Sequence, residues 1–159
     1  MSKPAARNPT VSLSGYQTSI VRCVVAVLLV IAGIVWITFY THQAMDAAEW
    51  TKSLGTKKPD TPFEWMSDLH KWNYAIGFGL AFLGLIVAAH PSTPLGRGRG
   101  VVIGMLGCFL LGLIWIVTYY FVGQDASFHV PVMDKLEQMN LLVGVAFMAV
   151  GFTFATKWE

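Results

Sequence analysis

Four long apolar runs alternate with short polar segments along the chain. The first runs from Ile20 to Tyr40, with one early charge at Arg22. As a helix it would be about 31 Å long, close to the roughly 30 Å hydrocarbon core of a bilayer. The second runs from about Leu69 to Ala89; its uncharged part begins at Trp72, which leaves His70 and Lys71 at headgroup depth. The third covers Gly100 to Val122 and the fourth about Met139 to Thr156. This pattern predicts an all-α integral membrane protein with four transmembrane helices. Residues 1–19 are polar and rich in Ser, Thr and Pro, and the first apolar run is too long for a cleaved signal. They read as a flexible cytoplasmic tail ahead of an uncleaved anchor.

The runs repeat in pairs. Gly33-Ile34-Val35-Trp36-Ile37 matches Gly112-Leu113-Ile114-Trp115-Ile116, and Asn73 matches Asn140. In the second register Gly77, Gly84 and Ala88 align with Gly144, Gly151 and Ala155, and Met66 and Leu69 with Met133 and Leu136. Each unit is then span, outer loop, span, and the first outer loop is 12 residues longer than the second. An even number of spans per unit makes the repeats parallel rather than inverted. The expected organisation is a tail over 1–19, a first two-span repeat over 20–90, a cytoplasmic linker over 91–99 and a degenerate second repeat over 100–159.

Composition strengthens the membrane reading. Of the 159 residues, 55% are hydrophobic and 13% charged, and the mean hydropathy is +0.56. Soluble domains carry about 25% charged residues, so too few charges remain here to coat a water-soluble globule. That argues against a cytosolic enzyme, a nucleic-acid binder and a disordered chain. A net charge of +2 is too small to imply an anionic partner, and Cys23 and Cys108 form no paired motif. Charge distribution orients the chain. Arg7, Arg22, Arg97 and Arg99 fall on the side of the N-terminus with Lys3 and Lys157, while five Lys and eight of the nine acidic residues fall opposite. Both termini and the Pro91–Arg99 loop are therefore expected in the cytoplasm of a multi-pass plasma-membrane protein.

Two candidate surfaces emerge. Gly77, Gly84 and Ala88, with Gly144, Gly151 and Ala155, share one helix face and permit close helix approach in lipid; internal packing is the simpler use, a seam for another membrane protein the alternative. The second is the outer segment before span two. Thr61, Pro62 and Glu64 read as a capped helix start, followed by Phe63, Trp65, Met66, Asp68, Leu69, Trp72 and Asn73. Such an amphipathic element serves as an interfacial belt or as a recognition surface.

Evidence for chemistry is thin. No ionisable group lies within a span away from its ends, against a transporter or proton relay. Arg22 is near enough to the surface to snorkel. His42, His70 and His129 fall near the outer interface, and His42 with His70 would be the pair for a haem- or quinone-associated respiratory subunit; exposed interfacial histidines are the plainer reading. His90, beside Pro91, marks a helix end. Gly96-Arg97-Gly98-Arg99-Gly100 reads as a basic turn able to touch anionic headgroups, not as a nucleotide site. No catalytic, metal or cofactor constellation is visible.

The residues Gly33-Ile34-Val35-Trp36, Pro62-Phe63-Glu64-Trp65-Met66-Ser67-Asp68-Leu69 and Trp72-Asn73-Tyr74-Ala75-Ile76-Gly77-Phe78 resemble the actinobacterial cell-division family CrgA. Residues 20–90 cover that pattern, and 100–159 resemble a second, degraded copy. The chain departs from the family's two-span plan by having four spans, a longer loop from Thr41 to Asp60, and Met139-Asn140-Leu141 in place of Trp72-Asn73-Tyr74. The resemblance implies a non-enzymatic scaffold or regulator of septum formation. It also implies partners among septal penicillin-binding proteins and division-ring components, and enrichment at the septum. A homo-oligomer is left open.

Overall fold

The computed structural model describes residues 18–53, 63–123 and 129–157, and its regular elements are six helices with no strand among the described residues. The four long ones are α1 (Ile20–Ser53), α3 (Trp72–Ala88), α4 (Arg99–Phe121) and α6 (Met139–Ala155). Short helices α2 (Glu64–Asp68) and α5 (Pro131–Leu136) precede α3 and α6. Most of the polar tail, and the Thr61–Pro62 helix start, lie outside the described residues.

The long helices coincide with the apolar runs within a few residues, except that α1 continues 13 residues past Tyr40. Its 34 residues make a rod of about 51 Å. The extension, Thr41 to Ser53, contains Ala44, Ala47 and Ala48 and no Gly or Pro, so nothing stops the helix where the apolar run stops. Lys52 in the last turn suits the negative end of the helix dipole.

α1 packs antiparallel on α3, and α4 packs in the same sense on α6. Each pair crosses where two glycines meet. A Cβ on Gly33 would lie 2.8 Å from the backbone nitrogen of Ala81 and also collide with the Gly77 carbonyl; a Cβ on Gly77 would strike Ile37. In the second pair, a Cβ on Gly112 would lie 2.6 Å from the Gly144 carbonyl oxygen, and one on Gly144 would strike Ile116. Gly33 and Gly112, Ile37 and Ile116, and Gly77 and Gly144 are the matched positions of the sequence alignment. Contact this close maximises dispersion between helices, the main attraction available where the surroundings are as apolar as the side chains.

The two hairpins join through α3 and α6. Phe82 meets Phe147 edge-on with centroids 4.9 Å apart, and Phe78 meets Trp115 edge-on at 5.5 Å. One cluster combines Ile37, Tyr74 and Phe78 with Leu136 and Val143. The other, at the end where α1 begins, combines Ala89 with Val101, Cys108, Val150 and Phe154.

Outside these seams the apolar surface is bare. Only 11% of the most apolar 18-residue stretch of α1, and 22% of that of α4, is buried. Val24, Leu28, Ile31, Ile34 and Val35 on α1, and Ile103, Leu106, Leu110 and Ile114 on α4, are exposed. A core helix of a water-soluble protein would bury such a stretch. A patch of this extent requires apolar surroundings, and both helices are long and apolar enough to cross a membrane.

Candidate functional site

Each hairpin is turned by the same local device. After α2, His70 has a positive φ (44°), and after α5, so has Glu137 (φ 50°, ψ −127°). Neither residue is glycine, so each turn carries strain of roughly 1–3 kcal/mol. A buried asparagine holds it. Asn73 donates through Nδ2 to the carbonyls of Met66 (2.7 Å) and His70 (3.0 Å). Asn140 donates through Nδ2 to those of Met133 (2.8 Å) and Glu137 (2.7 Å). One side-chain amide thus ties the carbonyl of the short helix to that of the turn, the latter also accepting from the asparagine's own backbone nitrogen.

This geometry divides the outer candidate residues. Met66 and Asn73 are buried: the first packs inward and the second is the clamp. Leu69 is half-buried. Phe63, Trp65, Asp68 and Trp72 are exposed, Trp72 at 73%. Two of these aromatics are held in place. Trp65 lies 5.6 Å from Trp36, Phe63 lies 5.6 Å from Phe39, and the two touch each other at 6.2 Å. Gln43, buried on the α1 extension, donates through Nε2 to the Phe63 carbonyl (3.2 Å) and so fixes the start of α2. The result is a rigid, exposed aromatic ledge that α1 supports from beneath. In the second half the corresponding positions are Val130, Val132 and Met139.

The small-residue seam lies mainly inside the molecule. Gly77 and Gly84 face α1, where a Cβ on Gly84 would come within 2.7 Å of Val30. Gly144 faces Ile116, and Gly151 faces Phe109 and Cys108. Ala88 and Ala155 are half-buried at the far end. All four glycines lie at contacts between helices of this chain.

Histidines occupy polar positions. His42 and His70 are exposed, His129 pairs with Asp134 at 3.0 Å, and His90 sits with Arg22 and Ser92. Among the described residues no three His, Cys, Asp or Glu gather as a metal site.

Three features escape a reading of sequence patterns. Gln43 carries no periodic signal. The Lys71 to Glu137 ion pair (3.0 Å) links residues 66 apart in sequence. Arg22 does reach polar groups, but it is tied to the loop after α3 rather than merely extended to the surface. Its one sequence signal was a charge inside an apolar run.

Fold and site together describe a helical membrane protein of two packed hairpins, with an aromatic ledge at one end and a basic cluster at the other. The chain belongs to the CrgA family: the family model "Cell division protein CrgA" matches residues 2–90 and again 94–159. It is 40% identical over 68 residues to the cell division protein CrgA of Streptomyces avermitilis, covering 43% of this chain and 75% of the relative. It is 33% identical over 55 residues to the protein of the same name from Corynebacterium aurimucosum, covering 35% of this chain and 56% of that relative. No solved structure matches. These relatives support a role in cell division for this chain. The family is one of cell-division proteins and is not known for enzymatic activity.

Proposed function

We propose that the chain is a multi-pass membrane scaffold of septation, built from two parallel CrgA-like hairpins with all four long helices crossing the bilayer. Residues 20–90 form the first hairpin and 100–159 the second, joined by a cytoplasmic linker over 91–99, with both termini in the cytoplasm. α3 and α6 have 17 residues each, about 25 Å of helix. Their flanking turns extend that length toward a full bilayer crossing. The chain acts by contact rather than catalysis, and its partners are other membrane components of the division site, the septal penicillin-binding proteins foremost.

The observation that carries this reading is the ledge of Phe63, Trp65 and Trp72. Phe63 and Trp65, held by ring contacts, lose little side-chain entropy on binding, and exposed aromatics such as Trp72 beside them dominate interface energetics. Asp68, exposed beside them, supplies a charge for orientation.

The test is localisation. A fluorescent fusion of the wild-type chain is expected to gather at mid-cell. The triple variant Phe63→Ala, Trp65→Ala, Trp72→Ala should still enter the membrane fraction but spread evenly around the cell. Mid-cell enrichment that survives all three substitutions would reject the ledge as the recognition surface. Even distribution of the wild type would reject the septal role.

A further inference from the structure

At the end opposite the ledge, α1 and α4 both begin, and both open with arginine rather than with the acidic residue a helix N-terminus favours. Arg22 lies in the first turn of α1 and Arg99 is the first residue of α4, and neither first turn holds an acid. A cation there opposes the helix dipole. Among the described residues every Asp and Glu (Asp46, Glu49, Glu64, Asp68, Asp134, Glu137) belongs to the other end, while Arg22, Arg97, Arg99 and Lys157 gather at this one.

Arg22 is held in a fixed pose. Its Nη1 donates to Ser92 Oγ (2.7 Å) and lies 3.0 and 3.1 Å from the two ring nitrogens of His90. Ser92 is itself fixed, since its carbonyl accepts from the Ser19 backbone nitrogen (2.9 Å) and its own nitrogen donates to His90 Nδ1 (3.1 Å). All these contacts use Nη1. The Nε and Nη2 edge, the fork that matches two oxygens of a phosphate, makes no hydrogen bond to the described residues. Arg97 donates to Thr18 Oγ1, which brings a second guanidinium beside the entry to α1. Immediately along the helix, Val21, Val24, Val25 and Leu28 are exposed and apolar.

We infer that Arg22, supported by His90 and Ser92, binds the phosphate of an anionic glycerophospholipid headgroup, with an acyl chain lying along the exposed valines of α1. A ligand with charge at one end and hydrocarbon at the other fits both halves of this surface; a free phosphate fits only the first. The inference rests on the membrane-spanning reading, which puts Arg22 at headgroup depth.

The experiment is native mass spectrometry of the full chain released from vesicles containing phosphatidylglycerol and phosphatidylcholine. The wild type should retain phosphatidylglycerol in preference. Arg22→Gln should lower that preference about tenfold or more, as expected for loss of a charge-assisted bidentate contact. Arg22→Lys, which keeps the charge and loses the fork, should fall between. Lys157→Gln, at the same end, should leave the preference unchanged. Matching helical circular dichroism in all four proteins ties any loss to the site rather than to folding. An unaltered preference in Arg22→Gln, or an equal loss in Lys157→Gln, would overturn the site. Displacement of the lipid by inorganic phosphate at equal concentration would assign it to a free anion instead. A chain that never enters the membrane fraction would refute the spanning reading; one that enters without lipid preference would refute this inference alone.

Discussion

The two hairpins share their internal contacts and differ on their surfaces. Gly33 over Gly77 is matched by Gly112 over Gly144, and Asn73 under Met66 by Asn140 under Met133. Yet Phe63, Trp65 and Trp72 of the first half stand where the second has Val130, Val132 and Met139, and α1 continues well beyond the point where α4 stops. Packing at the helix crossing tolerates almost no change, because a methyl group there meets backbone. A surface position is free to follow the needs of partners. The contrast separates what makes a hairpin from what varies around it, and the proposed recognition surface belongs to the varying part.

Breaking the crossings should have the largest effect. Gly33→Leu and Gly112→Leu each force a side chain into the facing backbone, at a cost of about 2–3 kcal/mol. Unfolding in detergent, followed by tryptophan fluorescence as dodecyl sulfate is added, should show similar losses for the two. Gly79→Leu is the control, since a Cβ there meets nothing within 4 Å; it should be near neutral. Equal losses at positions 33 and 112 with unequal effects on mid-cell localisation would sharpen the division of labour. A harmless Gly112→Leu would show that the second crossing is not needed to hold the molecule together.

Much of this was legible from residue order alone. The apolar runs located all four long helices, because a helix whose surroundings are uniformly apolar has to be apolar along its length. The aligned glycines marked the crossings, because glycine is the residue that lets two backbones touch. The end of α1 was less visible. The apolar run ends at Tyr40, but hydropathy reports surroundings rather than backbone conformation, and Ala44, Ala47 and Ala48 carry the helix onward to Ser53. The outer segment was legible as a unit but not in its division: Met66 and Trp65 are neighbours in sequence, and the inward turn of one and outward turn of the other follow from where α1 stands. The Arg22, His90 and Ser92 cluster joins residues about 70 apart and depends on α1 lying against α3.

The asparagine clamps come next in size. Asn73→Ala or Asn140→Ala removes the side-chain amide from the Met66 or Met133 carbonyl beside a positive-φ turn, and each loss should cost about 1–3 kcal/mol in the same unfolding assay. The first change also loosens the connection between the ledge and α3. Asn73→Ala should therefore reduce mid-cell enrichment more than Asn140→Ala at equal stability loss. The opposite ranking would move the recognition surface to the second half.

The smallest effect concerns the link between the halves. Lys71 and Glu137 pair at 3.0 Å across the outer turns, but their side chains are 51% and 67% exposed, so water and salt weaken the attraction. A double-mutant cycle with Lys71→Gln and Glu137→Gln should give a coupling of about 0.5 kcal/mol in low salt and almost none near ~1 M salt. The pair has no symmetric counterpart. In the alignment of the two halves Lys71 corresponds to Gln138 and Glu137 to His70, so the equivalent contact on the other side would join an amide to an imidazole rather than an ammonium to a carboxylate. The hairpins are thus held chiefly by Phe78, Phe82, Trp115 and Phe147, with the ion pair setting their relative position on one side only. A coupling that persists undiminished in high salt would contradict this, since only a pair shielded from solvent escapes screening.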